Sequence, residues 1–365
     1  MMLDLFSDNW RFVLSILLAL IIGFSIQLPV LRMALLKKFV DKPNHRSSHS
    51  GNIPNIGGIV VFVAFISSFL IFSRFSKSYE FQYIILGACV IFMIGIYDDL
   101  LKISPKKKLK GELLGILVVL IGGGFYLDDL HDFLGIHEII PWIGIPLTIL
   151  CFIGLINAIN LIDGIDGLCA GIVLMDSLFF CMWFYHWQQI EYALLCGVLS
   201  ASILPFFITN LYGKRSKMFM GDSGALMVGF LLGVFAIKFC KLEIYSNQYW
   251  AVGALPGIVF SLFAVPILDT LRLFVSRMMR GYSPFAPDKT HLHHKLLILY
   301  GGIHTKATFT ILFLNFIFIC IGILGRKWST EWLVGIDILM FLLFWGIIEF
   351  LLKWKARKNT NLLVY

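Results

Sequence analysis

The chain has 365 residues, of which 59% are hydrophobic and only 14% charged, with a mean hydropathy of +0.86. A single soluble core of this length cannot bury so much apolar side chain, so a water-soluble enzyme is excluded and bilayer-spanning helices are expected. The net charge of +8 does not point to nucleic acid, because the cations are sorted by segment along the chain.

In chain order, apolar runs and the breakers between them predict about eleven spans: roughly 10–36, 55–73, 81–97, 110–126, 141–158, 166–186, 191–208, 223–240, 249–271, 306–325 and 332–352. The expected fold is all-α, a single polytopic integral membrane domain over residues 1–365. No internal repeat or low-complexity linker is visible, and there is no room for a soluble domain. The first run, Phe12 to Val30, is flanked by Asp4 and Asp8 and has no small-residue cleavage site, so it reads as a retained span rather than a signal peptide. Segments after odd-numbered spans, with the adjoining span ends, carry 23 of the 30 Lys and Arg residues. Among them are Lys37, Lys38, Lys42, Lys106, Lys107, Lys110, Lys214, Arg215 and, in the tail, Lys353, Lys355, Arg357 and Lys358. The positive-inside rule then puts the N-terminus outside and the C-terminus in the cytoplasm of a bacterial inner membrane. The seven cysteines are scattered singly, which supports neither a disulfide framework nor a zinc site. The longest stretch between spans, Arg272 to Thr305, is expected to be a loop with a short helix or two.

Four polar clusters all follow odd-numbered spans, so they are expected on one face, the cytoplasmic one. Ionisable groups at membrane depth usually face a cavity or a partner, and carboxylates converging on one face suggest a shared polar cleft. Asp98-Asp99 ends the third span; adjacent carboxylates repel, so one holds a proton or a cation sits between them, unless the pair is an ordinary polar helix end. A similar pair, Asp128-Asp129, follows an even-numbered span and reads as solvated external surface. In the second cluster Asn157, Asn160, Asp163 and Asp166 recur every third residue, one stripe wherever the backbone is helical; the alternative is a polar turn. The third, Gly221-Asp222-Ser223-Gly224, resembles a helix N-terminus with Asp222 or Ser223 as cap, a place that also welcomes phosphate. The fourth joins Asp288, Lys289, His291, His293, His294 and Lys295, whose imidazoles and cations suit an anionic phosphate. A solvated loop or a transition-metal site would give the same composition. Oxygen ligands without a nearby thiolate fit Mg²⁺ better than zinc.

The ordered set of four, running from about Asp41 to His294, closely resembles the polyprenyl-phosphate N-acetylhexosamine-1-phosphate transferase family. Asp41, Arg46, His49, Pro54 and Gly57-Gly58 look like that family's first cytoplasmic loop, and Lys108 matches a family lysine expected near substrate phosphate. The form His291-Leu292-His293-His294, with its lead-in from Pro284 to Asp288, is similar to the WecA- and TagO-like branch. The peptidoglycan branch, which uses UDP-MurNAc-pentapeptide, carries three consecutive histidines.

The resemblance implies transfer of an N-acetylhexosamine-1-phosphate, most often GlcNAc-1-phosphate, from a UDP-sugar to undecaprenyl phosphate, releasing UMP. It implies Mg²⁺ as cofactor, replaceable by Mn²⁺, with Asp222 as leading ligand and Asp99 and Asp163 beside it. Asp98 is assigned to deprotonate or orient the lipid phosphate, or to be phosphorylated in a two-step route. Lys108, His291, His293 and His294 would hold phosphate oxygens, and Asn157, Asn160 and Asp166 the nucleotide or sugar; Asp41, Arg46, His49 and Asp288 complete the substrate-binding set. The bilayer is a partner by composition, and a homodimer is open, since an exposed apolar helix faces lipid as readily as a neighbour. The rival from another class is an organic-anion transporter, but transporters often show paired halves with broken helices near the midplane, and no such symmetry is visible here.

Overall fold

A computed structural model describes residues 7–36, 53–74, 79–213, 216–242, 253–283 and 290–362. Asp41, Arg46, His49 and Asp288 lie outside the described residues. Thirteen helices carry most of the rest: α1 (Asp8–Leu36), α2 (Gly57–Phe72), α3 (Glu80–Leu101), α4 (Pro105–Leu117), α5 (Pro141–Ile162), α6 (Leu168–His186), α7 (Ile190–Tyr212), α8 (Gly221–Cys240), α9 (Leu255–Leu262), α10 (Ala264–Met279), α11 (Leu292–Leu299), α12 (His304–Leu324) and α13 (Thr330–Leu362). A π-helical turn (Val118–Gly122) extends α4, and a hairpin of β1 (Asp129–Phe133) and β2 (Ile136–Glu138) precedes α5.

The protein is an all-α, multi-pass membrane protein. Among the described residues, eight helices are long and apolar enough to cross a bilayer: α1, α3, α5, α6, α7, α8, α12 and α13. A ninth span results if α9 and α10, bent by 76° at their junction, are counted together. The expected eleven therefore reduces to eight or nine by length and composition. The two remaining runs have physical reasons to fall short. The 16 residues of α2 reach about 24 Å against a hydrocarbon core of roughly 30 Å. In α4 the opening turns carry Lys106, Lys107, Lys108 and Lys110, which shortens the apolar run. The ninth run also continues as helix through Arg272 to Met279, so the loop expected from Arg272 begins later.

The described residues form two compact units. The first, residues 1–130 with 138–242, holds α1 to α8; the second, residues 131–137 with 243–365, holds α9 to α13.

In the first unit α8 is the central helix, buried along nearly its whole length and packed against α2, α3, α5 and α6. With no water to squeeze out between lipid-facing helices, association rests on close packing. Gly95 of α3 shows how close: a Cβ there would lie 2.3 Å from the Ser223 Cα. One end of the unit is pinned by Arg11, which is buried and donates to Glu191 Oε1 at 2.7 Å and to the Phe72 carbonyl at 3.2 Å, tying α1 to α2 and α7. The starts of α4 and α8 and the ends of α3 and α5 supply the groups of the candidate site. In the second unit, α9 packs against α12 and α13, and the buried Ser261 hydroxyl donates to Asp337 Oδ2 at 2.6 Å.

Candidate active site

The first unit gathers the carboxylates. Asp98 and Asp99 end α3 but face different partners. Asp98 accepts the Ile103 N–H through Oδ1 (3.0 Å), while its Oδ2 lies 3.0 Å from Lys108 Nζ. The same Lys108 ammonium is 2.5 Å from Asp222 Oδ1, so one cation bridges two carboxylates from separate helices. Burial works against the charge on Lys108, but Asp222 and then Asp98 outweigh it and raise its pKa. Asp99 instead accepts the N–H groups of Asp222 (2.9 Å) and Ser223 (3.0 Å), one on each oxygen. Helix α8 is thus capped from α3. Its own Asp222 and Ser223, expected as caps, sit inside the first turn, two and three residues past the N-cap position at Met220. The turn needs Gly221: its φ is +73°, and a Cβ there would lie 2.8 Å from Asp99 Oδ2.

The expected stripe of four polar residues holds for only two. Helix α5 ends at Ile162, with Asp163 as its C-cap residue, so Asn157 and Asn160 are helical while Asp163 and Asp166 lie in the following turn. Asn157 donates to Glu112 Oε2 (3.0 Å) and to the Ile153 carbonyl (2.9 Å), and Asn160 gives its carbonyl to the Asp163 N–H (3.3 Å). Asp166 is buried and paired with Lys217 at 2.6 Å. Asp163 has its pKa raised to about 7, first by burial and then by the nearby charges of Asp222, Asp99 and Asp166. The segment before α8 is held from two sides. Asn210 accepts the Gly167 N–H and donates to the Met218 carbonyl. The Gly57 and Gly58 N–H groups donate to the carbonyls of Phe219 and Met220, both at 2.8 Å. The described end of the first-loop motif therefore docks directly against the turn that leads into α8 and Asp222.

The second unit holds the imidazoles. His291 Nδ1 is 2.8 Å from Asp269 Oδ2, and Asp269 Oδ1 accepts both the Leu292 N–H (3.1 Å) and an Arg272 N–H (2.8 Å). Arg272 also donates to the Thr290 carbonyl at 2.8 Å. The His291 and His293 rings stack at 5.4 Å and those of His293 and His294 lie 4.3 Å apart. This is an ordered helix start and not a solvated loop: His291 and His293 are buried. Burial, then the charges of His294 and His291, hold the His293 pKa well below the usual imidazole value. Lys295 is paired with Glu349, so it is not a loose cation of the motif.

The profile of glycosyl transferase family 4 matches residues 81–240, the stretch that contains Asp98, Asp99, Lys108, Asp163, Asp166 and Asp222. Three relatives extend the likeness over most of the chain. The undecaprenyl-phosphate alpha-N-acetylglucosaminyl 1-phosphate transferase of Yersinia pestis is 30% identical, covering 89% of this chain and 90% of its own. The Escherichia coli O157:H7 protein of the same name is 31% identical over 88% and 89%. The probable undecaprenyl-phosphate N-acetylglucosaminyl 1-phosphate transferase of Bacillus subtilis is 30% identical over 93% and 91%. The chain belongs to glycosyl transferase family 4. For a member of this family, the residues matched by the profile are those of the carboxylate cluster; the imidazole cluster lies beyond them, within the longer alignments.

A divalent cation fits the carboxylate cluster in a specific sense. Among the described residues the only trio of ligand atoms lying within 4.8 Å of one another is Asp269, His291 and His293; Asp99, Asp163 and Asp222 form no closed cage. Mg²⁺ does not ask for one, since it usually takes one or two carboxylates and completes its shell with waters and substrate phosphates. Asp222, neutralised here by an ammonium, and Asp163, crowded by other carboxylates, are the two residues that would hold it. Asp99 gives an oxygen to each of two N–H groups, which makes capping its visible task. Sequence reasoning missed Glu112, Lys217, Asn210, Asp269 and Arg272. Glu112 carried a signal, as the one acidic residue in an otherwise basic helix start; Asp269 carried a weaker one, as a carboxylate inside an apolar run three residues from Arg272.

Proposed function

We propose that this chain is a phosphoglycosyltransferase that moves GlcNAc-1-phosphate from UDP-GlcNAc to undecaprenyl phosphate, releasing UMP and starting a lipid-linked cell-envelope glycan. The observation that carries it is the Asp98–Lys108–Asp222 bridge beside Asp163, in a chain whose relatives bear the transferase name over about nine-tenths of their length. A site for two phosphate-bearing substrates must offset their mutual repulsion, and it must do so where one substrate stays in the bilayer. The starts and ends of membrane helices meet both demands. The cluster is assigned to the cytoplasmic side of the inner membrane, where the basic segments lie.

In the reaction, an oxygen of the lipid phosphate forms a bond to the sugar-linked phosphorus as the bond from that phosphorus to UMP breaks. Asp98 accepts the proton of the lipid phosphate, or orients the dianion, from a position already fixed by the Ile103 N–H. Lys108 transfers its charge from the two carboxylates to phosphate oxygens, and its link to both makes it sensitive to either substrate. Asp222 and Asp163 would hold Mg²⁺, which would supply charge neutralisation on the diphosphate. Asp166, buried and partnered by Lys217, lines the nucleotide or sugar side. In the second unit, Asp269 fixes His291 through Nδ1, leaving Nε2 as the nitrogen that meets phosphate.

The test is to incubate purified protein with undecaprenyl phosphate, Mg²⁺ and a panel of UDP-N-acetyl sugars, following UMP and lipid-linked product. UDP-GlcNAc should be the preferred donor. Asp222→Asn should lower Mg²⁺-dependent UMP release by at least about 100-fold while the protein stays folded in detergent, because a lost metal ligand removes several kcal/mol of charge stabilisation. Uptake of labelled sugar nucleotide into liposomes without UMP formation would establish a transporter instead.

A further inference from the structure

The second unit contains a cavity of about 500 Å³ that none of the assigned roles requires. Its walls include Arg272, Arg280, Lys295 and Lys353, set against a single carboxylate, Glu349. Two of the four cations are neutralised within the fold, Arg272 by Asp269 and Lys295 by Glu349. Arg280 and Lys353 are exposed and have no carboxylate at ion-pair distance among the described residues, so the cavity keeps an excess of positive charge. Trp345 forms an aromatic wall, with the Arg272 guanidinium 5.3 Å and the Lys295 ammonium 5.4 Å from its ring. A space with surplus cations and an aromatic wall is chemically complementary to an anion with several oxygens.

Its position on α13 narrows the ligand further. Trp345, Glu349 and Lys353 recur every fourth residue, one stripe of the helix. The neighbouring Phe350 and Trp354 are 68% and 57% exposed, as lipid-facing side chains of a spanning helix would be. Trp and Lys together mark the depth at which a spanning helix meets headgroups. Headgroup depth favours an anion carried by a lipid, and a volume of this size falls in the range of small-molecule sites.

We propose that this cavity binds the phosphate headgroup of an anionic membrane phospholipid, as a site additional to the one that performs the transfer. Arg280 and Lys353 supply the selectivity for charge, Trp345 packs the glycerol region, and the exposed α13 face takes the acyl chains. The inference does not depend on the transferase reading, because it is read from lipid occupancy.

Full-length protein in a neutral detergent, offered equal amounts of phosphatidylglycerol and phosphatidylcholine, is analysed by native mass spectrometry. Phosphatidylglycerol should be retained with a preference of about thirty-fold, the scale expected of two basic residues at a membrane surface. The exposed-site double variant Arg280→Ala/Lys353→Ala should lose that preference while keeping its elution profile and its rate of UMP release. Equal retention of the two lipids, or an unchanged preference in the double variant, overturns the proposal. So does displacement of the lipid by millimolar inorganic phosphate, which would make it a site for soluble anions. A raised KM for undecaprenyl phosphate in the double variant would assign the cavity to the acceptor and also overturn it.

Discussion

Replacing Lys108 with Met tests whether this residue serves the resting protein as an internal cation. The ammonium is held by Asp98 at 3.0 Å and Asp222 at 2.5 Å, and the three side chains are 15%, 11% and 24% exposed. Breaking a fully buried pair from one side costs about 3–5 kcal/mol, and an exposed pair is worth about 0.2–1. A site between these limits should lose about 2 kcal/mol. The two carboxylates left behind then repel, which makes the variant a better binder of divalent cation than the wild type in the absence of substrate. Because Mg²⁺ at about 100 times its Kd returns roughly 2.7 kcal/mol, the metal should restore the lost stability. The assay is the thermal midpoint in detergent, titrated with Mg²⁺, run alongside UMP release. Turnover should fall by about 100-fold or more, since metal bound at the carboxylates does not replace a cation on substrate phosphate. An unchanged Mg²⁺ affinity in Lys108→Met would refute the idea that Lys108 occupies the cation position.

Gly221→Ala places a side chain at φ +73° and 2.8 Å from Asp99 Oδ2; a loss of about 1–3 kcal/mol in stability is expected, and an unchanged thermal midpoint would show that the turn relaxes freely. Asp269→Asn keeps the shape but not the charge that holds His291 and Arg272, so kcat should fall about 10–100-fold, the range for partners that orient a functional histidine, with the acid limb of the pH–rate profile displaced. Wild-type kinetics with the original profile would leave Asp269 purely structural. His293 has a folded pKa well below its unfolded value of about 6.5. Its contribution to stability is therefore complete above pH 6.5 and is lost as pH falls from there toward the folded value, at up to about 1.4 kcal/mol per pH unit. Thermal midpoints between pH 7.5 and 5 should drop more steeply for wild type than for His293→Phe, and parallel curves would remove His293 as the cause.

Helix positions were largely legible because long apolar runs have few alternatives in a bilayer, and each expected run has a helical counterpart among the described residues. What the runs do not specify is how many cross. The α4 run contains enough apolar residues to suggest a span, yet its first two turns carry four lysines, and one of these is needed at the carboxylates. The bend between α9 and α10 is likewise invisible to a hydropathy window, since Phe263 is as apolar as its neighbours. Asp269 and Arg272 lie beyond that bend, which is why they read as a late fragment of a span and not as the support of the His motif.

Within the site, residue types were easier to read than partnerships. A three-residue interval places side chains together only while the backbone is helical, and α5 stops at Ile162; Asp163 and Asp166 come near the other carboxylates through a turn. Gly-Asp-Ser-Gly signals a helix start correctly, but the cap came from Asp99, a residue 123 positions away, which local spacing cannot reveal. That long-range cap has a functional consequence. Asp99 fixes the first turn of α8, and hence Asp222, relative to Asp98 on the same helix α3. The spacing between the proposed base and the proposed metal ligand is therefore set by two hydrogen bonds to N–H groups. Lys108, the cation between them, offsets the repulsion of the two carboxylates, while the two hydrogen bonds that Asp99 accepts hold their spacing.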